Sequence, residues 1–281
     1  MRLFVFGMGY SAGVLAQRLT AQGWRVDGTG RNGSVAFDDH SGVGAALGAA
    51  THVLSSVPPG RDGRDPVLDM YGAALCAAPA EWIGYLSSTG VYGDCGGAWV
   101  DETAPIGSGR RGARSDADRD WQALDPRVRV FRLPGIYGPG RSAFDRLREG
   151  TARRVIVPGQ VFSRVHVDDI ASGVIAGMAG PPGVFNLADD EPCDANIVIE
   201  HAARMMGVEP PPLMTLEEAT MSPQARAFYA ENRRIANGKA RRVLGWQPRF
   251  ANYREGLRDL NATTSPASAS SAPATFKPVQ R

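Results

Sequence analysis

Lysine is all but missing. Of the 31 basic residues only Lys239 and Lys277 are lysines, and the rest are arginines. They are scattered rather than gathered in a stripe, and 29 acidic residues leave a formal net charge of only +2. So weak a bias, without a basic patch, gives no phosphate-backbone footprint, and no nucleic-acid partner is expected. Cysteine is scarce as well. Cys76, Cys95 and Cys193 are far apart, odd in number and without a CxxC spacing. That excludes a disulfide framework and the common zinc spacings, so no metal is expected and the chain reads as a reduced, cytoplasmic protein. No apolar stretch approaches the ~20 residues needed to span a bilayer. No charged segment precedes an apolar one at the N-terminus, where a strand begins by Arg2. Neither a membrane partner nor a leader is expected.

What is present is an ordinary globular composition, 43% hydrophobic and 21% charged over 281 residues, enough for a sizeable core. Leu3-Phe4-Val5-Phe6 is a short apolar run ended by glycine, as in a strand buried on both faces. An apolar helical pattern through Val14, Leu15, Ala16 and Leu19 ends at Gly23, and Trp24-Arg25-Val26 opens a second strand. This unit of about 30 residues has the length of a βαβ motif. Further strands are predicted at Val35–Phe37, Thr51–Ser55, Trp82–Ser87 and Val128–Leu133, with helices over 65–78 and 110–124. Alternating elements of this kind predict an α/β fold, a Rossmann-type doubly wound parallel sheet. After about residue 140, helical stretches near 142–150, 167–179 and 194–207 lie between Pro/Gly-rich turns and are assigned to a small C-terminal substrate lobe. The expected organisation is one domain over 1–261, with the nucleotide-binding part mainly 1–140 and the lobe mainly 141–261. Residues 262–281 are rich in Ala, Ser, Thr and Pro, and are expected to form a disordered tail.

The loop after the first strand reads Gly7-Met8-Gly9-Tyr10-Ser11-Ala12-Gly13, a GxGxxA pattern. Gly7 permits the tight turn, Gly9 lets a pyrophosphate approach the backbone, and Ala12 and Gly13 let the helix pack against the sheet. The anion then sits on the free amides at the helix N-terminus. The pattern alone is weak, and a glycine turn in an unrelated α/β fold is the alternative. Its place between a strand and a helix is the context the motif requires. A dinucleotide fold that prefers NAD(H) carries an acidic residue at the end of the second strand. Here that stretch is Gly28-Thr29-Gly30-Arg31-Asn32, with Asp27 back inside the strand. Arg31 suits a 2′-phosphate, so NADP(H) is expected in preference to NAD(H); a solvated loop arginine is the competing reading. Asp38 is a candidate for the adenine amino group or a turn residue. Ser55 and Ser56, where the fourth strand ends, join the cofactor-binding set.

Three later segments add to the glycine loop: Leu86-Ser87-Ser88-Thr89-Gly90-Val91-Tyr92-Gly93-Asp94, Arg132-Leu133-Pro134-Gly135-Ile136-Tyr137-Gly138-Pro139-Gly140, and Arg164-Val165-His166-Val167-Asp168-Asp169-Ile170-Ala171. In that order, over about residues 2–260, the chain resembles the extended short-chain dehydrogenase/reductase family of NAD-dependent epimerases and dehydratases. The resemblance implies that Ser88 hydrogen-bonds a reacting hydroxyl or carbonyl, and that Pro134 and Tyr137 lie near the nicotinamide. It also implies a YxxxK pair about 25 residues beyond the VYG element, where Tyr is the acid/base and Lys lowers its pKa. That pair is absent: Arg111 stands in the Tyr position and Ser115 in the Lys position. Arginine cannot act as a base, and serine carries no charge to depress a neighbour's pKa. The chain therefore resembles an atypical branch of the family.

Tyr92 and Tyr137 are the candidate replacement acid/bases, each against a structural, hydrogen-bonded tyrosine. His166 with Asp168 has the look of a proton-transfer pair; the resemblance gives this segment an ordering role in the lobe, and His166 is assigned to substrate binding. Arg110, Arg111 and Arg114 are candidates for an anionic substrate or the cofactor phosphates, or form a solvated helix face. The expected function is an NADP(H)-dependent oxidoreductase or epimerase on a small polar or sugar-nucleotide-like substrate, working as a monomer or homodimer. The alternatives are a non-catalytic NADP(H)-binding redox sensor and a structural partner protein with a vestigial loop.

Overall fold

In the computed structural model, which describes residues 1–60, 62–107 and 112–264, the apolar runs Leu3–Phe6, His52–Ser55, Trp82–Ser87 and Val128–Leu133 become buried strands, set among helices and shorter strands. In chain order these are β1 (Arg2–Phe6), α1 (Tyr10–Ala21), β2 (Arg25–Gly28), α2 (His40–Ala49), β3 (His52–Ser55), α3 (Pro66–Ala77), β4 (Trp82–Ser88), the short β5 (Trp99–Val100), α4 (Gly112–Leu124) and β6 (Val128–Leu133). The second half adds β7 (Gly135–Tyr137), α5 (Ala143–Arg148), β8 (Arg154–Val155), β9 (Arg164–His166), α6 (Val167–Ala179), β10 (Gly183–Asn186), α7 (Ala195–Met206), β11 (Leu213–Met214), α8 (Pro223–Ala227), β12 (Arg234–Ile235), α9 (Gly238–Leu244) and α10 (Tyr253–Thr264).

Six strands form one sheet in the order β10-β6-β4-β3-β1-β2, and every neighbouring pair is parallel. The period of two explains its two cores. Phe4 and Phe6 of β1 face α2, α3 and α4, with Val43, Tyr71 and Trp121 among the buried residues. Leu3 and Val5 face α1 and α6, with Leu15, Ile170 and Val174. The order reverses between β1 and β3, which opens a crevice beyond their carboxyl ends, where ligands of open α/β sheets bind.

Three expectations are corrected. Val35–Phe37 is not a strand. Only the Val35 amide bonds back, to Gly28 O at 3.1 Å. Phe37 then turns inward, where its ring meets Phe6 and Tyr71 and its carbonyl accepts the Tyr71 hydroxyl. The nucleotide-binding part does not end near residue 140. The chain returns to it with α6, which packs on α1, and with β10, the sheet edge beside β6. What remains as a lobe is α5, α7 and α10 around Phe144, Val198, Tyr253 and Leu257, with short two-stranded pairings. Finally, α10 runs to Thr264, so the expected tail begins inside a helix and continues beyond the described residues. Among the described residues, no helix is long and apolar enough to cross a membrane.

Candidate functional site

The loop from β1 to α1 is built to leave amides open. Gly7 adopts φ +83°, and a Cβ there would meet Val57 Cγ2 at 2.9 Å, so the turn needs glycine. The loop is tied on two sides. The Gly7 amide donates to Thr29 Oγ1 at 3.1 Å and the Met8 amide to Thr29 O at 2.7 Å, while Ser56 Oγ donates to Gly7 O. Gly9 caps α1 without a side-chain acceptor, and the first turn carries no acidic residue. The amides of Tyr10, Ser11 and Ala12 are therefore left for an anion. Ala12 itself is buried against the sheet, which fits the expected close packing of the helix.

At the second strand, Asp27 is committed elsewhere. Its carboxylate accepts from Arg2 Nη2 and Arg25 Nε, each at 3.1 Å, and from Ser34 Oγ. Arg31 lies on the exposed loop beyond, with no ion pair among the described residues. Asp38 is exposed on the same loop, next to Asp39, whose side chain caps α2.

Beyond the strand ends lies a cavity of about 1000 Å³. Gly9, Tyr10, Ser11 and Ser56 line one side, Ser88 and Pro134 the middle, and α5 with the 221–233 segment the lobe side. Ser88 ends β4 and opens a short 3-10 turn, where its Oγ accepts the Gly90 amide at 3.1 Å. That leaves the hydroxyl proton to be donated. Arg233 lines the same part of the cavity: a Cβ built on Gly90 would lie 3.3 Å from Ser88 Oγ and 4.0 Å from Arg233 Nη2. Arg233 is held by Gly93 O at 2.6 Å and Glu231 at 3.0 Å. Its partner Gly93 is 140 residues away in sequence, so no local pattern announces it.

The other expected site residues are distributed differently. Tyr92 does not reach the cavity. Its hydroxyl donates to Asn186 Oδ1 at 2.8 Å and accepts from Arg132 Nη1 at 3.0 Å, inside a buried network. There Arg132 clasps Asp118 at 2.6 and 3.0 Å, and Ser87 and Gln122 also donate to Asp118. Burial pushes the Tyr92 phenol above its ordinary pKa, against the lowering effect of Arg132. It is a structural tyrosine. Ser55 is likewise fully buried in β3 and does not line the cavity. His166 caps α6, with Nδ1 accepting the Asp168 amide at 3.2 Å, while the Asp168 carboxylate pairs with Arg18 at 2.9 Å. Burial lowers the His166 pKa, and the ring is wedged between Phe250 and Tyr137, away from the cavity lining. Tyr137 borders the cavity, but its hydroxyl is buried. Arg110 and Arg111 fall outside the described residues. On α4, Ser115 is buried with Oγ donating to Val91 O at 3.4 Å, and Arg114 is the side chain that lines the cavity. Lys239 lies over the Phe185 ring at 5.2 Å, away from the cavity. Among the described residues, therefore, no lysine lines the cavity and no phenol stands on α4.

No family model matches the chain. A conserved, functionally unknown protein from Silicibacter pomeroyi is 44% identical, with a TM-score of 0.83 over 93% of this chain and 98% of that one. Human epimerase family protein SDR39U1 (isoform2), solved with NADPH, shares the fold at 19% identity, with a TM-score of 0.75 over 93% of this chain and 99% of that one. Among curated relatives, 3-diazoavenalumate denitrifying reductase from a Streptomyces species is 30% identical over 173 residues, 57% of this chain and 55% of that protein. The chain thus matches about half the length of that relative. The chain is related over nearly its whole length to the Silicibacter protein, and it shares the Rossmann-type fold of the human epimerase family protein.

Proposed function

We propose that the protein is an NADP(H)-dependent oxidoreductase that reduces a small polar substrate held between Ser88 and the lobe. The observation that carries this reading is the open first turn of α1, which faces the cavity that also holds Ser88. NADPH fits these residues. Its pyrophosphate matches the amides of Tyr10, Ser11 and Ala12, at the turn where a Cβ on Gly7 would clash. Its 2′-phosphate suits Arg31, while Asp27, the acidic residue nearest the ribose position, is occupied by Arg2 and Arg25. NADPH is also the ligand solved with SDR39U1. When bound, the nicotinamide supplies a hydride. The chain's own part is to orient and polarise the acceptor. Ser88 donates a hydrogen bond to its electronegative atom, the Arg233 guanidinium stabilises the negative charge that develops there, and solvent in the open cavity would supply the proton that completes the reduction.

Reduction suits this site better than epimerisation. Epimerases of this fold must draw a proton from a hydroxyl, and Glu231, a carboxylate on the cavity wall, is engaged by Arg233 at 3.0 Å. The phenols of Tyr10 and Tyr229 on the cavity wall are pushed up by burial, and arginine cannot act as a base. The Streptomyces relative is itself a reductase by name. A second reading, a non-catalytic NADP(H)-binding sensor, is favoured by the absence of the Tyr and Lys pair. Oxidation of NADPH against a panel of carbonyl compounds separates the two. The reductase reading expects turnover with at least one class and a loss of about 10²–10³ in rate for Ser88→Ala at unchanged NADPH affinity. NADPH binding with no turnover on any of them favours the sensor.

A further inference from the structure

The cavity carries more positive charge than it neutralises. Arg114, Arg141, Arg146, Arg153, Arg164 and Arg233 line it, against Asp145, Glu149 and Glu231. Those carboxylates are engaged. Asp145 accepts from the Ser142 amide and hydroxyl at 2.7 and 2.6 Å and faces Arg148 at 3.6 Å. Glu231 pairs with Arg233 at 3.0 Å, and Glu149 accepts from Thr151 Oγ1 at 3.5 Å. None is paired with Arg146.

Arg146, like Arg153, stands without a partner among the described residues, and it alone lies beside Arg164 and the aromatic wall. Its side chain makes no hydrogen bond or ion pair among the described residues. It is exposed to solvent, but inside the concave cavity, where burial and next the charge of Arg164 lower its pKa, while the Tyr229 phenol has the opposite effect. Arg164 is held in place by donating to Cys193 Sγ at 3.0 Å and Cys193 O at 3.3 Å. Arg146 and Arg164 thus line the same cavity with no carboxylate among the described residues paired to either, and an anionic ligand would offset their charge. The ordinary explanation, a cation at a helix C-terminus, is weak for six-residue α5, where Arg148 serves as well. The wall beside them is apolar and aromatic. Phe162 meets Tyr229 edge-on at 5.5 Å, and Phe228 is 55% exposed.

We propose that Arg146 and Arg164 form an anion subsite that binds the carboxylate of the substrate, with an aromatic or apolar body lying against Phe162, Phe228 and Tyr229. The inference deepens the reductase reading and rests on it: the reducible group lies at Ser88 and the carboxylate on the lobe side. A planar carboxylate matches the guanidinium fork, and the apolar wall suits a hydrocarbon body better than a hydroxyl-rich sugar.

The test is calorimetric titration of the full chain, with and without NADPH, using benzoate, cinnamate and 3-phenylpropionate beside their uncharged amides, with inorganic phosphate and UDP as comparators. At least one carboxylate should bind about tenfold or more tighter than its amide, as expected for a charge-assisted contact. Arg146→Gln should remove that preference, leave NADPH affinity unchanged, and leave the melting temperature of the ligand-free protein equal or higher, since an unpaired cation is removed. Carboxylates that bind no better than amides, or not at all, overturn the proposal. So does an Arg146→Gln protein that melts several degrees lower, which makes Arg146 structural. Phosphate or UDP displacing every carboxylate overturns it too, and reassigns the subsite to a phosphate. If NADPH itself fails to bind, the reductase reading falls, while titrations of the ligand-free protein still decide the subsite.

Discussion

Replacing Asp189 by asparagine should change how stability depends on pH. Asp189 is 1% exposed, and neither carboxylate oxygen has a hydrogen-bond partner among the described residues. Burial is the largest influence and raises its pKa to about 8; the Arg164 guanidinium and the nearby Glu191 amide, too poorly aligned for a hydrogen bond, favour its charge, and Asp190 and Glu191 oppose it. Asp190 and Glu191 are occupied by Arg241 and Arg254, each at 2.5 Å. An unfolded aspartate titrates at about 3.9. Between these values the folded state holds a proton that the unfolded state has released. Stability is therefore full below about pH 4 and is lost as pH rises to about 8. At about 1.4 kcal/mol per unit, four units cap the loss at about 5–6 kcal/mol, and relaxation or water entry should bring it to about 2–4 kcal/mol. Asp189→Asn, nearly isosteric and uncharged, should match the wild type at about pH 4 and be more stable at about pH 9. Urea denaturation followed by circular dichroism across this range gives both curves. Parallel curves would show that Asp189 is ionised in the folded protein and that the burial argument fails.

Three further substitutions have definite outcomes. Tyr92→Phe should cost about 1–3 kcal/mol in urea, because Arg132 and Asn186 each lose a partner, and should leave turnover intact; a loss of turnover at unchanged stability would return Tyr92 to the chemistry. Asp118→Asn should destabilise by about 3–5 kcal/mol, since it leaves the buried Arg132 guanidinium without its counter-charge; a loss under about 1 kcal/mol would contradict that. Gly7→Ala should cost about 1–2 kcal/mol for a left-handed residue and weaken NADPH binding in fluorescence titrations, because the new Cβ pushes on Val57; unaltered affinity would mean that the loop tolerates a different turn.

The parts of this molecule governed by local physics were legible in the sequence. The buried run Leu3–Phe6, the GxGxxA turn and the helix at Val167–Ala179 depend on contiguous residues, and they form where the pattern puts them. Strand β10 was not legible: Gly183–Asn186 is short and glycine-led, and it becomes a strand only because β6 offers it an open edge. Conversely, Val35–Phe37 has strand-like residues but finds a better place for Phe37 against Tyr71. The site follows the same division. Ser88 lines the cavity because the end of its strand puts it there. Tyr92 lies only four residues on, yet one 3-10 turn swings it into the core, where Arg132 and Asn186 satisfy its hydroxyl. His166 looked like half of a proton relay, but its nitrogen is taken by the helix cap it forms. Arg146, Arg164 and Arg233 could not be told from the other arginines, because what sets them apart is what surrounds them in space.

The most direct test of the account is calorimetric titration of the wild type and Arg31→Ala with NADPH and NADH. The account predicts that NADPH binds about tenfold or more tighter than NADH, as one desolvated charge-assisted contact allows. It also predicts that Arg31→Ala abolishes this difference by weakening NADPH alone. Equal affinities in the wild type, or a preference that survives in Arg31→Ala, would contradict the assignment of the 2′-phosphate. Absence of binding to either nucleotide would contradict the reading of the α1 N-terminus as a dinucleotide site.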